Sequence, residues 1–154
     1  MLGIAHCALM GEHLMNLKNL METRAGWGMT LLRIVTGIVF IGHGAPKFGF
    51  VGDRNLAGTA AFLDGLGVPV PMVSAFLVAF FETFGGALLV IGLLTRIWSA
   101  GLAFAMLIAV TMVHAPNGMF GEGGYQWALL LMASSLALMF EGAGKASLDR
   151  AFGN

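Results

Sequence analysis

The stretch MVSAFLVAFFETFGGALLVIGLL, Met72 to Leu94, decides the fold. It is 23 residues long and carries a single charge, Glu82. A bilayer crossing takes about 20 consecutive, mostly apolar residues, and this stretch has them. Working outward, three more stretches read the same way. Trp27 to Ala45 holds one charge, Arg33; Ile97 to Ala115 ends at His114; Tyr125 to Phe140 is slightly short but free of full charges. None has a polar face wide enough for water, as a helix of a soluble bundle would. The fold class expected is all-α: a polytopic membrane protein with a four-transmembrane-helix antiparallel bundle.

Composition agrees. Of 154 residues, 58% are hydrophobic and only 10% charged, with mean hydropathy +0.85, whereas soluble domains carry roughly 25% Asp, Glu, Lys and Arg. The 23 glycines suit close helix packing in lipid. A net charge of +0 offers no field for nucleic acid. The single cysteine, Cys7, excludes an internal disulfide and a cysteine-rich metal site, and no metal is expected.

The chain divides into an N-terminal extension (1–26), a membrane domain (27–141, spans about 27–45, 72–94, 97–115 and 125–140) and a C-terminal tail (142–154). Loop one, Pro46 to Pro71, is long and Gly-rich, and Asn55 to Leu66 has the spacing of a short helix at the membrane surface. The turn at Leu94-Thr95-Arg96 is tight, so spans two and three are neighbours. Lys18, Arg24, Arg96, Lys145 and Arg150 flank one side, against Lys47 and Arg54 on the other. The richer side is expected to be cytoplasmic, with both termini inside. The first ~20 residues lack the order of a signal peptide; Glu12, His13 and Lys18 among Leu and Met suggest a surface helix, and a start-codon extension upstream of Met21 fits equally.

Ionisable residues at membrane depth mark function or structural pairing. Glu82 falls near the middle of span two, its face lined by Ala75, Ala79, Gly85 and Gly86. Arg33 on span one is expected to reach it. At 100° per residue, Arg33, Thr36, His43 and Lys47 fall within a wedge of about 80°, a polar seam along span one. His114, Tyr125 and Gln126 share the depth of His43, so three helices bring polar groups to one level. Below them Phe40, Trp127 and the Leu-rich spans are apolar. A flat quinone ring needing two hydrogen bonds, with a lipid tail, suits that shape. A histidine has an unperturbed pKa of about 6.5 and handles protons near neutrality. The candidate catalytic residues are therefore Glu82, His43 and His114, and the candidate ligand-binding residues Arg33, Lys47, Tyr125 and Gln126. No Gly-rich nucleotide loop is present.

In order and spacing, several segments resemble the DoxX family of small four-span bacterial and archaeal membrane proteins. They are Leu31-Leu32-Arg33-Ile34; GIVFIGHGAPK, Gly37 to Lys47; FLDGLGVPVP, Phe62 to Pro71; ETFGGALLVIGLLTR, Glu82 to Arg96; His114; GGYQWALL, Gly123 to Leu130; and the Ser147-Leu148-Asp149 tail. Many relatives have an acidic residue where this chain has Gln126. The resemblance implies a prokaryotic inner-membrane protein with quinone-linked redox chemistry: a subunit working beside a redox partner in sulfur, thiol or oxidative-stress chemistry. Against that stands a non-catalytic anchor or assembly subunit of a larger membrane complex. The partners expected are the lipid bilayer, a redox protein or larger complex and a second copy of the chain, with no nucleic acid.

Overall fold

A computed structural model describes residues 26–153. The N-terminal extension read above, with Cys7, Glu12, His13, Lys18 and Arg24, lies outside the described residues, as does Asn154. The described chain is helical, with no strand. Helix α1 is Trp27–Phe48, α2 Leu56–Gly65, α3 Pro71–Ile91, α4 Thr95–Asn117, α5 Gln126–Glu141 and α6 Leu148–Gly153. Three of them, α1, α3 and α4, are long and apolar enough to cross a membrane; α5 is shorter at 16 residues and also apolar. Together they form a polytopic membrane bundle. Below, "upper" denotes the end that carries Lys47 and α2, and "lower" the end that carries Trp27 and the α3–α4 turn.

Small residues set the packing. A Cβ on Gly37 of α1 would lie 2.6 Å from the Gly86 carbonyl of α3, so these two backbones touch. In lipid, where there is little hydrophobic gain between helices, such close approach is a main source of association. The register follows: Gly37 faces Gly86 and Val90, Gly44 faces Glu82 and Thr83, and Gly92 faces Arg33. Phe40, Leu89, Leu102, Met106 and Leu138 from all four long helices fill the centre.

The α3–α4 turn is held by the end of the chain. Gly92 takes φ 73° and Leu94 φ 51°, both left-handed. The turn leaves the first N–H groups of α4 without partners, as every helix start does. Asp149, 2% exposed, supplies them: its carboxylate accepts from Leu94 N at 2.6 Å and Thr95 N at 2.9 Å, while its own N–H donates to Gly92 O at 2.8 Å. Arg96 then donates to the carbonyls of Met139 and Phe140 at the end of α5, at 3.1 and 2.8 Å.

At the upper end, Asn55 caps α2 by accepting from Gly58 N at 2.8 Å. Ala60 and Leu63 of α2 pack on Ala75 of α3. Two of the long helices widen into single π turns, Phe81–Gly85 in α3 and Ala109–His114 in α4. Such turns are rare and cluster at functional sites.

Candidate functional site

The expected pairing of Arg33 with Glu82 is corrected by the register. Arg33 lies level with Gly92, while Glu82 lies level with Gly44. Ten residues of helix separate those levels, about 15 Å. Arg33 is 1% exposed and donates from Nη2 to the Ala146 carbonyl at 2.6 Å, with Asp149 as its electrostatic counter-charge. Its place is the lower end, under the C-terminal segment.

Glu82, 4% exposed, pairs instead with Lys47, whose ammonium donates to Oε2 and also to the His43 carbonyl at 3.0 Å. Lys47 reaches down because the chain continues past Gly44 as a 3-10 turn, Ala45–Phe48, with Pro46 inside it. The π turn displaces Glu82 from regular α-helical spacing just where it meets this ammonium. His43 and Arg54 are the other charged or titratable neighbours of the carboxylate.

These groups line one cavity of about 1340 Å³, larger than the roughly 300–1,000 Å³ of common small-molecule pockets. Its upper part carries Glu82, Lys47, His43, His114, Arg54 and Asp53, with Asn55, Gly58, Thr59 and Phe62 at the α2 end. Its lower part is mostly apolar, walled by Leu32, Val35 and Phe40 of α1, Met106 and Ala109 of α4, and Leu130 and Leu131 of α5, with the hydroxyls of Thr36 and Ser134 among them. From Leu32 to His43 is eleven residues, about 17 Å of helix. Val35 and Leu130 both line the cavity and are 52% and 57% exposed, so its lower part opens sideways between α1 and α5.

Both histidines are fixed by backbone carbonyls. His43 Nδ1 lies 2.9 Å from Val39 O and His114 Nδ1 2.7 Å from Gly123 O. A carbonyl only accepts, so each Nδ1 carries the proton.

Tyr125 and Gln126 do not line the cavity; Gly123, Gly124 and Trp127 take that place. The α5 residues that line the cavity are Trp127, Ala128, Leu130, Leu131 and Ser134, and one and two residues before Trp127 the helix has rotated by about 100° and 200°. Arg33 is likewise outside it. Arg54 and Asp53 lie in a Gly-rich loop and carry no periodic signal in the sequence that would mark them as cavity residues. The two π turns have no sequence signature either. Among the described residues no three His, Cys, Asp or Glu side chains gather as a metal site.

The model of the DoxX family matches residues 28–115. The chain belongs to the DoxX family. It is 35% identical over 111 residues to a Bacillus subtilis protein named "Putative oxidoreductase CatD", covering 72% of this chain and 78% of that one. It is 30% identical over 131 residues to "Uncharacterized membrane protein Rv3486" of Mycobacterium tuberculosis, covering 77% of each. "Inner membrane protein YphA" of Escherichia coli is 28% identical over 128 residues, 79% of this chain and 88% of its own. No solved structure matches. This DoxX protein is thus a membrane protein with bacterial relatives, and its family segment covers α2, α3, nearly all of α1 and α4, and the Lys47–Glu82 pair.

Proposed function

We propose that this DoxX protein binds a quinone-type ligand in the cavity and serves as the membrane subunit of a quinone-linked oxidoreductase system. The observation that carries the reading is the shape and chemistry of the cavity: a polar upper end of titratable side chains, and an apolar lower part open toward lipid between α1 and α5. An aromatic head group with an isoprenoid tail matches both halves and has a lateral way in from the bilayer. The oxidoreductase name borne by the Bacillus relative supports the same class.

When bound, such a ring accepts or gives two electrons and two protons. The residues of this chain bind, orient and move protons. His43 and His114 would meet the ring oxygens. Glu82 Oε2 holds or releases a proton, with the Lys47 ammonium fixing its position and offsetting its charge. Arg54 and Asp53 connect the upper end to the loop. Phe40 and the Leu-rich walls keep water from the lower part. Electrons come from a redox protein partner or a reducing substrate. The setting proposed is the cytoplasmic (inner) membrane, with both termini inside and room for a second copy or larger complex.

The test is binding of a short-chain benzoquinone/benzoquinol pair to purified protein in nanodiscs, and quinone-dependent turnover in membranes, for wild type, His43→Ala and His114→Ala. Saturable wild-type binding of either form of the pair, weakened in both variants with helicity retained, is the expected result. Absence of wild-type binding by both forms refutes the proposal. Co-purification of a larger complex that both variants leave intact, with no binding of either form, moves the protein to the non-catalytic anchor or assembly role.

A further inference from the structure

The two histidines that line the cavity are wired alike. Each donates Nδ1–H to a backbone carbonyl, from His43 to Val39 O at 2.9 Å and from His114 to Gly123 O at 2.7 Å. In the neutral imidazole one nitrogen donates and the other accepts. With Nδ1–H committed to a carbonyl, each Nε2 presents a lone pair, and among the described residues neither Nε2 has a protein partner. The cavity is therefore equipped with two acceptors on two different helices. The carboxylates of Glu82, already engaged by Lys47, and Asp53 are acceptors too.

A dicarbonyl ring brings only acceptors. Set against an Nε2 lone pair, its oxygen makes no hydrogen bond, and both atoms lose water without replacement. A dihydroxy ring brings two O–H donors, one for each Nε2. Its oxygens also retain lone pairs, so a donor such as Arg54, or the Lys47 N–H used by neither Glu82 nor the His43 carbonyl, serves the dihydroxy ring as well as the dicarbonyl one. The donors thus do not discriminate, and the acceptors do.

We infer that the cavity selects the reduced, dihydroxy form of its ring ligand over the oxidised, dicarbonyl form, with His43 and His114 as the specificity-determining residues. This rests on the reading of the cavity as a quinone-type site. The selection is one of binding: the dihydroxy ring is held more tightly than the dicarbonyl ring, whichever of the two the cavity meets first. An acceptor whose water is displaced by the ring without a donor in return is on the order of a tenfold loss of affinity for each histidine.

The experiment compares, without oxygen, a short-chain benzoquinone and its benzoquinol on wild-type protein in nanodiscs, with tryptophan fluorescence as the readout, since Trp127 lines the cavity. It is run at about pH 8, where an unperturbed imidazole is neutral. The quinol is expected to bind at least tenfold tighter. In His43→Gln and His114→Gln, whose side-chain amide can also donate, that preference is expected to shrink several-fold. Equal binding of the two forms, or tighter binding of the quinone, overturns the inference while leaving the site intact. Failure of both forms to bind removes the site itself. A measurement that needs no ligand is the ¹⁵N shift pattern of histidine-labelled protein: the Nδ1–H tautomer is expected for both residues, and an Nε2–H tautomer in either overturns the inference.

Discussion

Replacing Asp149 with alanine probes how the C-terminal segment holds the lower end of the bundle. The Asp149 carboxylate accepts two backbone N–H groups, Leu94 at 2.6 Å and Thr95 at 2.9 Å, and acts through space on the buried Arg33 guanidinium as a counter-charge. A hydrogen bond to a charged group contributes about 1.5–3 kcal/mol, and stripping a buried charge of its partner costs about 3–5 kcal/mol. These effects overlap because they share one carboxylate, so Asp149→Ala is expected to cost about 3–5 kcal/mol in all. Asp149→Asn keeps one oxygen for the backbone and loses the charge, and about half that cost is expected. Removing the cation as well should soften the loss of the anion. Asp149→Asn in an Arg33→Met background is expected to cost less than alone, by on the order of 1 kcal/mol of coupling. The assay is unfolding in mixed micelles titrated with SDS, followed by helical circular dichroism. Stability of Asp149→Ala within about 1 kcal/mol of wild type would refute the clamp. Strict additivity in the double variant would refute the Arg33–Asp149 coupling alone.

At the other end, Lys47→Ala leaves the Glu82 carboxylate buried without its cation and is expected to cost about 3–5 kcal/mol, whereas the double change Lys47→Met with Glu82→Gln costs less; the same SDS titration checks both, and equal losses would remove the ion pair from the account. Gly37→Val is expected to destabilise by at least about 1–3 kcal/mol, since its side chain would enter the Gly86 carbonyl and Val90; wild-type stability would mean that α1 and α3 do not touch there. With Cys7 changed to serine, a cysteine at Lys145 is expected to be labelled only from the cytoplasmic side and one at Glu122 only from the opposite side; the reverse pattern overturns the orientation.

The sequence by itself carried the membrane fold. Four apolar stretches of near-bilayer length, broken by Gly, Pro and a few charges, admit little but helices, because in lipid each backbone group must find its partner within its own segment. The periodicity of α1 also placed Thr36, His43 and Lys47 on one face, and all three line the cavity. Which charge meets which was beyond it. Helical spacing gives the direction of a side chain around its own axis and says nothing of how far one helix slides along another. That offset is set by Gly37 against Gly86 and Gly44 against Thr83, contacts between small residues with no pattern to distinguish them from any other glycine. A slide of ten residues moves Arg33 from Glu82 to the C-terminal segment and gives Glu82 to Lys47. Asp149 reads as an ordinary charge in a short tail until the chain folds back and presents it to Leu94 and Thr95. The commitment of both Nδ1 atoms to carbonyls arises in the same way, since the partner of His114, Gly123, becomes its neighbour only when the loop after α4 closes. Local pattern fixed what each helix is; the tertiary offset decided which polar groups share a cavity and which hold the bundle shut.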